Sequence, residues 1–252
     1  MLEITPTQRF SSRVGNYSRF RPSYPAEIVG ILRQECGLSP ESVIADVASG
    51  TGIFTRLLLD NGNRAFGVEP NDAMRKAGEE YLAAYPKFAS VAGTAENTTL
   101  PDASVDLVTA AQAAHWFDRG KAITEFRRIL KPEGYLVLLW NDRRTDASAF
   151  ARDYESLLLE YGTDYAEVKR RDAASQEFFG EIKHEKRVLR NFQKFDYTAL
   201  EGRLLSSSYT PPVGHPAHEP MLSELRRIFE TYQRGGAVLM EYDTNLYFGQ
   251  LA

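Results

Sequence analysis

Val43-Ile44-Ala45-Asp46-Val47-Ala48-Ser49-Gly50-Thr51-Gly52-Ile53-Phe54-Thr55 is the stretch on which the fold of this 252-residue chain turns. A β-branched run leads into an acid, then a small-residue turn with two glycines, then the start of an amphipathic segment: strand, tight loop, helix. Gly50 and Gly52 permit left-handed backbone and close approach of a ligand, and Asp46 puts an acceptor at the strand end. An ordinary βα turn that binds nothing has the same local pattern, so the flanking sequence has to decide between them.

Downstream, residues 53–61 carry Phe54, Leu57, Leu58 and Leu59 on a core-facing helix ended by Gly62. Residues 64–70 read as a second strand closing on Glu69 and Pro70. Glu69 lies about 20 residues past the glycine turn, the spacing at which a carboxylate meets ribose hydroxyls in a nucleotide-binding βαβ unit. Asn71 is suited to cap a helix over 71–85, and 88–92 is a third strand, followed by the loop Gly93-Thr94-Ala95-Glu96. The near-continuous apolar run 104–111 predicts a central parallel strand, with Gln112-Ala113-Ala114-His115-Trp116-Phe117-Asp118 directly after it. A helix over 119–130, a break at Lys131-Pro132-Glu133-Gly134 and a strand over 135–140 complete five alternations. They predict an α/β fold, a doubly wound parallel sheet with its ligand crevice at the carboxyl ends of the strands.

Past Trp140 the rhythm changes. Helical stretches at 148–161 and 165–178 predict a helical cap inserted after the fifth strand. A sixth strand over 186–197, a helix over 198–206, a polar loop over 205–212, a helix over 220–234 and a closing strand over 238–248 follow. Upstream, the aromatic and basic arm at 10–24, with Arg13, Arg19 and Arg21, precedes a helix over 26–36. The expected organisation is one domain, 1–252: arm and helix 1–40, cofactor-binding core 43–140, cap 141–182, and a C-terminal part 183–252 completing the sheet.

A composition of 43% hydrophobic and 25% charged residues is that of an ordinary globular protein, and the net charge of -4 argues against a broad nucleic-acid footprint. The single cysteine, Cys36, leaves no intramolecular disulfide and no thiol-rich zinc site. The opening residues lack a signal-peptide pattern, and no stretch approaches the roughly 20 apolar residues of a membrane span. These features predict a cytoplasmic protein, monomer or homodimer, with a small-molecule partner and neither nucleic acid nor membrane. An NAD-dependent oxidoreductase is the rival, but the third glycine of its G-x-G-x-x-G fingerprint is absent.

The strand-end acid with Ser49-Gly50-Thr51-Gly52, the second strand ending in Glu69-Pro70, the Gly-Thr-Ala-Glu loop and the helix-Lys-Pro-Glu-Gly-strand unit together resemble a class I S-adenosylmethionine-dependent methyltransferase. The arm Tyr17-Ser18-Arg19-Phe20-Arg21-Pro22-Ser23-Tyr24-Pro25 and residues 111–117 are similar to the small-molecule branch that includes trans-aconitate methyltransferase-like proteins. The resemblance implies seven strands, mostly parallel, with the last antiparallel, and S-adenosyl-L-methionine as cofactor. It implies that Ala48, Ser49, Gly50 and Gly52 form the loop at the methionine part and that Asp46 orients this loop or reaches the amino group. Glu69 would hold the ribose, Pro70 and Met74 would line the adenine, and Ala95 would read an adenine edge. Gln112, Ala113 and Trp116 would border the sulfonium, and Tyr17 and Arg21 would reach the methionine carboxylate. Two departures stand out. Ala48 replaces a glycine, so positive φ is not expected there, and Thr94 replaces an acid, which leaves Thr94, Glu96 or water for the exocyclic amine.

Methyl transfer from a sulfonium is an in-line displacement that demands no metal and no covalent residue. A hydroxyl or ammonium acceptor also needs a general base, for which His115 is the candidate; a packed His115-Trp116 pair is the alternative. A carboxylate acceptor needs cations instead, and Arg143, Arg144 and Arg21 are placed for it. His215 and His218 lack a dependable third metal ligand. The sequence thus points to a methyltransferase acting on a small molecule, with a non-catalytic cofactor-binding protein as the alternative.

Overall fold

The computed structural model describes residues 19–175 and 178–251. Among these, seven strands form one sheet: β1 (Val43–Val47), β2 (Arg64–Val68), β3 (Phe88–Val91), β4 (Val105–Ala111), β5 (Leu130–Arg143), β6 (Glu185–Phe195) and β7 (Val238–Gln250), in the order 3-2-1-4-5-7-6. The pairs β1–β2, β1–β4, β2–β3 and β4–β5 are parallel, and β7 runs antiparallel between β5 and β6. This is the doubly wound sheet that the alternation predicts, with the antiparallel last strand that the resemblance implies. Strand order reverses beside β1, between β2 and β4, and there the helices leave on opposite faces and open a crevice.

The central strands β1 and β4 are buried on both sides because helices cover both faces. On one face α1 (Glu27–Cys36) and α2 (Ile53–Asp60) bring Ile28, Leu32, Phe54 and Leu58 against Ile44, Leu107, Val137 and Leu139. On the other, Phe126 and Ile129 of α4 (Arg119–Ile129) meet Ala45, Val108, Ala110 and Leu136. Between them in sequence, α3 (Asp72–Tyr81) starts where expected, the Asn71 side chain accepting from Ala73 N at 3.0 Å and Met74 N at 3.1 Å.

β5 begins earlier than the expected 135. Lys131-Pro132-Glu133-Gly134 lies within it, at a register shift opposite Val105 and Leu107, with Glu133 at φ 67°. Proline cannot serve a regular ladder, so the strand absorbs it as a bulge. After β5, α5 (Ala149–Tyr161), α6 (Tyr165–Ser175), α7 (Tyr197–Leu205) and α8 (His218–Tyr232) follow, with β6 between α6 and α7. Phe150, Tyr154 and Leu158 of α5, Leu200 and Leu204 of α7, and Met221, Leu225 and Ile228 of α8 make a second core with Met240 and Tyr242 of β7. His218 is built into it, its Nδ1 2.8 Å from Pro211 O. No helix among the described residues is long and apolar enough to cross a membrane.

Candidate functional site

A cavity of about 590 Å³ lies at the carboxyl ends of β1, β2, β4 and β5, with residues of α6 and α7 closing its far side. That size suits a small ligand or a cofactor. Its wall begins at the loop after β1, where Ala48, Gly50 and Gly52 take φ of 54°, 58° and 81°. The expectation for Ala48 is therefore corrected: it occupies the left-handed region that its side chain disfavours by roughly 1–2 kcal/mol. The reason lies on both sides of it. Val47 is locked in the sheet, and Ser49 N donates to Val68 O at 3.2 Å, so the chain has to reverse within one residue. Gln112, at the end of β4, repeats the device with φ 59° while its N donates to Leu139 O at 2.8 Å. Strain is thus stored at two neighbouring strand ends that line the same cavity.

Asp46 is 1% exposed and accepts from Thr55 Oγ1 at 2.5 Å and Thr109 Oγ1 at 2.8 Å, tying β1 to α2 and β4. Burial pushes its carboxyl up to about 6; the two hydroxyls oppose this and the Glu69 charge adds to it. Glu69 joins the two loops of the crevice, Oε2 accepting from Gly50 N at 2.9 Å and Oε1 from Asn71 N at 2.8 Å. Burial raises its pKa, and these amides and Arg75 pull it back. Each carboxylate oxygen thereby keeps a second lone pair. Thr51 Oγ1 is buried with no hydrogen-bond partner among the described residues.

Pro70, Met74, Thr94, Ala95 and Glu96 form one flank of the cavity. Thr94 N donates to Asn97 O at 3.0 Å, Asn97 N donates back to the Thr94 hydroxyl at 3.2 Å, and Glu96 accepts from Asp118 N at 2.9 Å. The opposite flank has Gln112, Ala113 and a short 3-10 turn, Ala114–Trp116, that tilts the His115 ring against Trp116 with centroids 4.7 Å apart. Asp46, Ala48, Ser49, Gly50, Glu69, Arg21 and Arg143 line the same space. Two residues expected at the site do not. Gly52 lies behind the loop, where a Cβ would stand 2.6 Å from Leu82 Cδ1, and Arg144 pairs with Glu241 at 2.9 Å and Asp243 at 3.9 Å. Tyr17 lies outside the described residues.

The far side holds residues that sequence reasoning missed: Tyr165, Lys169, Arg203, Tyr209 and Tyr242. Arg143 donates through Nη2 to Glu155 and to Tyr165 Oη at 2.7 Å, with its guanidinium 4.8 Å from the Tyr154 ring centroid. Lys169 Nζ reaches the other Glu155 oxygen at 2.7 Å, Arg203 Nη1 donates to Ser207 Oγ at 3.0 Å, and Arg21 Nη2 to Ser206 O at 3.1 Å. Burial raises the Tyr209 phenol, but Arg203, Arg143 and Arg21 outweigh it and hold the group below the usual tyrosine range. Nothing local marks Arg203, since Leu200-Glu201-Gly202-Arg203-Leu204 reads as a helix with a solvated arginine.

The sheet order and the crevice define the class I methyltransferase fold. Residues 45–138 match the family model described as a methyltransferase domain. An uncharacterized methyltransferase of Mycobacterium tuberculosis strain H37Rv is 40% identical over 134 residues, 53% of this chain and 52% of that protein. A methyltransferase-like protein of Schizosaccharomyces pombe is 35% identical over 148 residues, 57% of this chain and 55% of that protein. The chain thus spans about half the length of the curated relatives it matches. Among solved structures, a candidate type II methyltransferase from Anaeromyxobacter dehalogenans superposes with a TM-score of 0.70 at 22% identity, covering 92% of this chain and 98% of that one. The chain thus has the class I methyltransferase fold, and its residues 45–138 match the methyltransferase-domain model.

Proposed function

We propose that this protein is an S-adenosylmethionine-dependent methyltransferase that acts in line on a small molecule bearing a carboxylate. The observation that carries the reading is Glu69, whose carboxylate joins Gly50 N to Asn71 N at the wall of the cavity. The residues present fit the cofactor. Two buried carboxylates with raised pKa suit a ligand of net positive charge, and the orphaned Thr51 hydroxyl offers it a hydrogen bond. A Cβ on Gly50 would come within 3.3 Å of Met74 Cε, so the glycine keeps that wall open. S-adenosylmethionine supplies a methyl group already activated on a cationic sulfur.

Glu69 holds the ribose hydroxyls, Pro70 and Met74 flank the adenine, and the Ala95 backbone with Thr94 and Glu96 reads its edge. Ala48, Ser49 and Gly50 meet the methionine part, Arg21 its carboxylate, and Gln112, Ala113 and Trp116 enclose the reacting centre against water. Arg143 serves the acceptor. With a hydroxyl or ammonium acceptor His115 is the base, being the histidine that lines the cavity among the described residues. The single cysteine supports a reducing, cytoplasmic setting.

Thermal unfolding with S-adenosylhomocysteine or NAD, followed by labelled methyl transfer to a panel of small acids, phenols and amines, tests the proposal. Stabilisation by S-adenosylhomocysteine and turnover of an acid is the expected result. Stabilisation by NAD alone overturns it in favour of a dehydrogenase, and binding without turnover on any acceptor leaves a non-catalytic cofactor-binding protein.

A further inference from the structure

We infer that Arg203 determines acceptor specificity: with Arg143 it forms a buried clamp for one oxyanion group of the acceptor, carboxylate or phosphate. The inference rests on the methyltransferase reading only in calling the bound molecule an acceptor.

Arg203 is 8% exposed and lines the cavity from α7, among the phenols of Tyr154, Tyr209 and Tyr242. Its Nε is buried without a hydrogen-bond partner among the described residues, and no carboxylate among them stands within ion-pair distance of it. A guanidinium stays charged under all ordinary conditions, so folding leaves a buried cation here that phenols and one serine hydroxyl only partly compensate. Arg143, the second guanidinium, gives Nη2 to Glu155 and Tyr165, while its Nη1 is likewise buried and without a partner among the described residues. Glu155 is further shared with Lys169. Two guanidiniums on residues that line one cavity, each with an unused buried donor, match an oxyanion, which takes two or more charge-assisted hydrogen bonds in one plane or around one centre. Tyr209, among the same guanidiniums, adds a phenolic donor.

The opposite end of the cavity has the reverse sign, with Asp46 and Glu69 buried there. A bifunctional small molecule is thus oriented on entry: its anionic group goes to Arg203 and Arg143, and its other end faces the carboxylates and whatever cation they hold. That polarity is a specificity device, since a neutral isostere leaves the Arg203 charge without a counter-ion and the Arg143 Nη1 donor unused.

The probes are succinate, inorganic phosphate and the neutral succinamide, titrated by calorimetry into protein saturated with S-adenosylhomocysteine and into protein without it. Wild type is expected to bind succinate or phosphate and to bind succinamide at least tenfold more weakly; the tighter of the two anions tells carboxylate from phosphate. Arg203→Met should lose at least tenfold in affinity for that anion, and Arg203→Lys should recover part of it. Affinity for S-adenosylhomocysteine should not move in either variant. Equal binding of succinate and succinamide, binding of neither anion, or unchanged anion affinity in folded Arg203→Met overturns the inference. If Arg203→Met does not fold, the wild-type comparison of anion with amide and the Arg203→Lys variant still decide it. Failure of S-adenosylhomocysteine to bind at all counts against the methyltransferase reading instead, and the clamp is then judged on the cofactor-free titrations.

Discussion

The two ends of the cavity are built differently. Around Asp46 and Glu69 the wall is made of backbone amides, small side chains and two loops close together in sequence, and its buried charges are negative. Around Arg203 it is made of long side chains from the arm, β5, α6 and α7, and the guanidiniums dominate. The family model ends at residue 138, before Arg143 and Arg203. A device made of main chain can be shared by many sequences, because only its turns constrain residue type. A device made of side chains brought from afar depends on residue type at every position.

If the first end is a rigid main-chain device, damage there should reach the fold itself. Gly52→Ala adds a Cβ 2.6 Å from Leu82 Cδ1 at φ 81°, and should cost about 2–4 kcal/mol in urea unfolding through left-handed strain and overpacking. A loss below about 1 kcal/mol would break the contrast between the two ends.

Asp46 sharpens it through pH. Its folded pKa of about 6 lies above the unfolded value near 3.8, so the folded state holds the proton longer. The stability it contributes is fully present below about pH 4 and lost as pH rises through about 6, amounting to roughly 3 kcal/mol. Unfolding of wild type and Asp46→Asn across pH 4 to 7 should therefore show the wild type alone losing this increment. Parallel curves would mean that the two threonine hydroxyls fully compensate the burial.

Glu69→Ala should weaken S-adenosylhomocysteine by about 1–3 kcal/mol in calorimetry, since two loop amides and the ribose lose a charged acceptor together. Unchanged affinity would remove the central residue of the proposed cofactor site. The smallest effect is expected at Ala48→Gly, which releases left-handed strain and should stabilise by about 1 kcal/mol or less. A clear destabilisation would mean that the Ala48 methyl contributes packing.

Much of the fold was legible because alternation of apolar strands with amphipathic helices is a local signal. Asn71 capped its helix where expected, and the closing strand took the antiparallel place. The bulge at Lys131-Pro132-Glu133-Gly134 was not legible, because the turn residues read as an end of structure while the neighbouring strand held them in the sheet. Ala48 failed for a related reason. Side-chain preference opposes its conformation by only about 1–2 kcal/mol, less than the sheet hydrogen bonds on either side enforce. Arg144 and Arg143 are adjacent in sequence, but Arg143 is the last residue of β5 and lines the cavity, while Arg144 just past it pairs with Glu241.

By itself the sequence determined the doubly wound sheet, the crevice at its switch point and the loops that meet there, since each follows from periodicity and turn chemistry within a few tens of residues. Only the tertiary structure decided that Arg203 and Tyr209 of the C-terminal part face Arg143 and Arg21 across one cavity, and that Ala48 is strained. The physical reason is burial. Whether an arginine is a solvated surface charge or a cation in a pocket without a counter-ion depends on what packs around it, and no local pattern carries that.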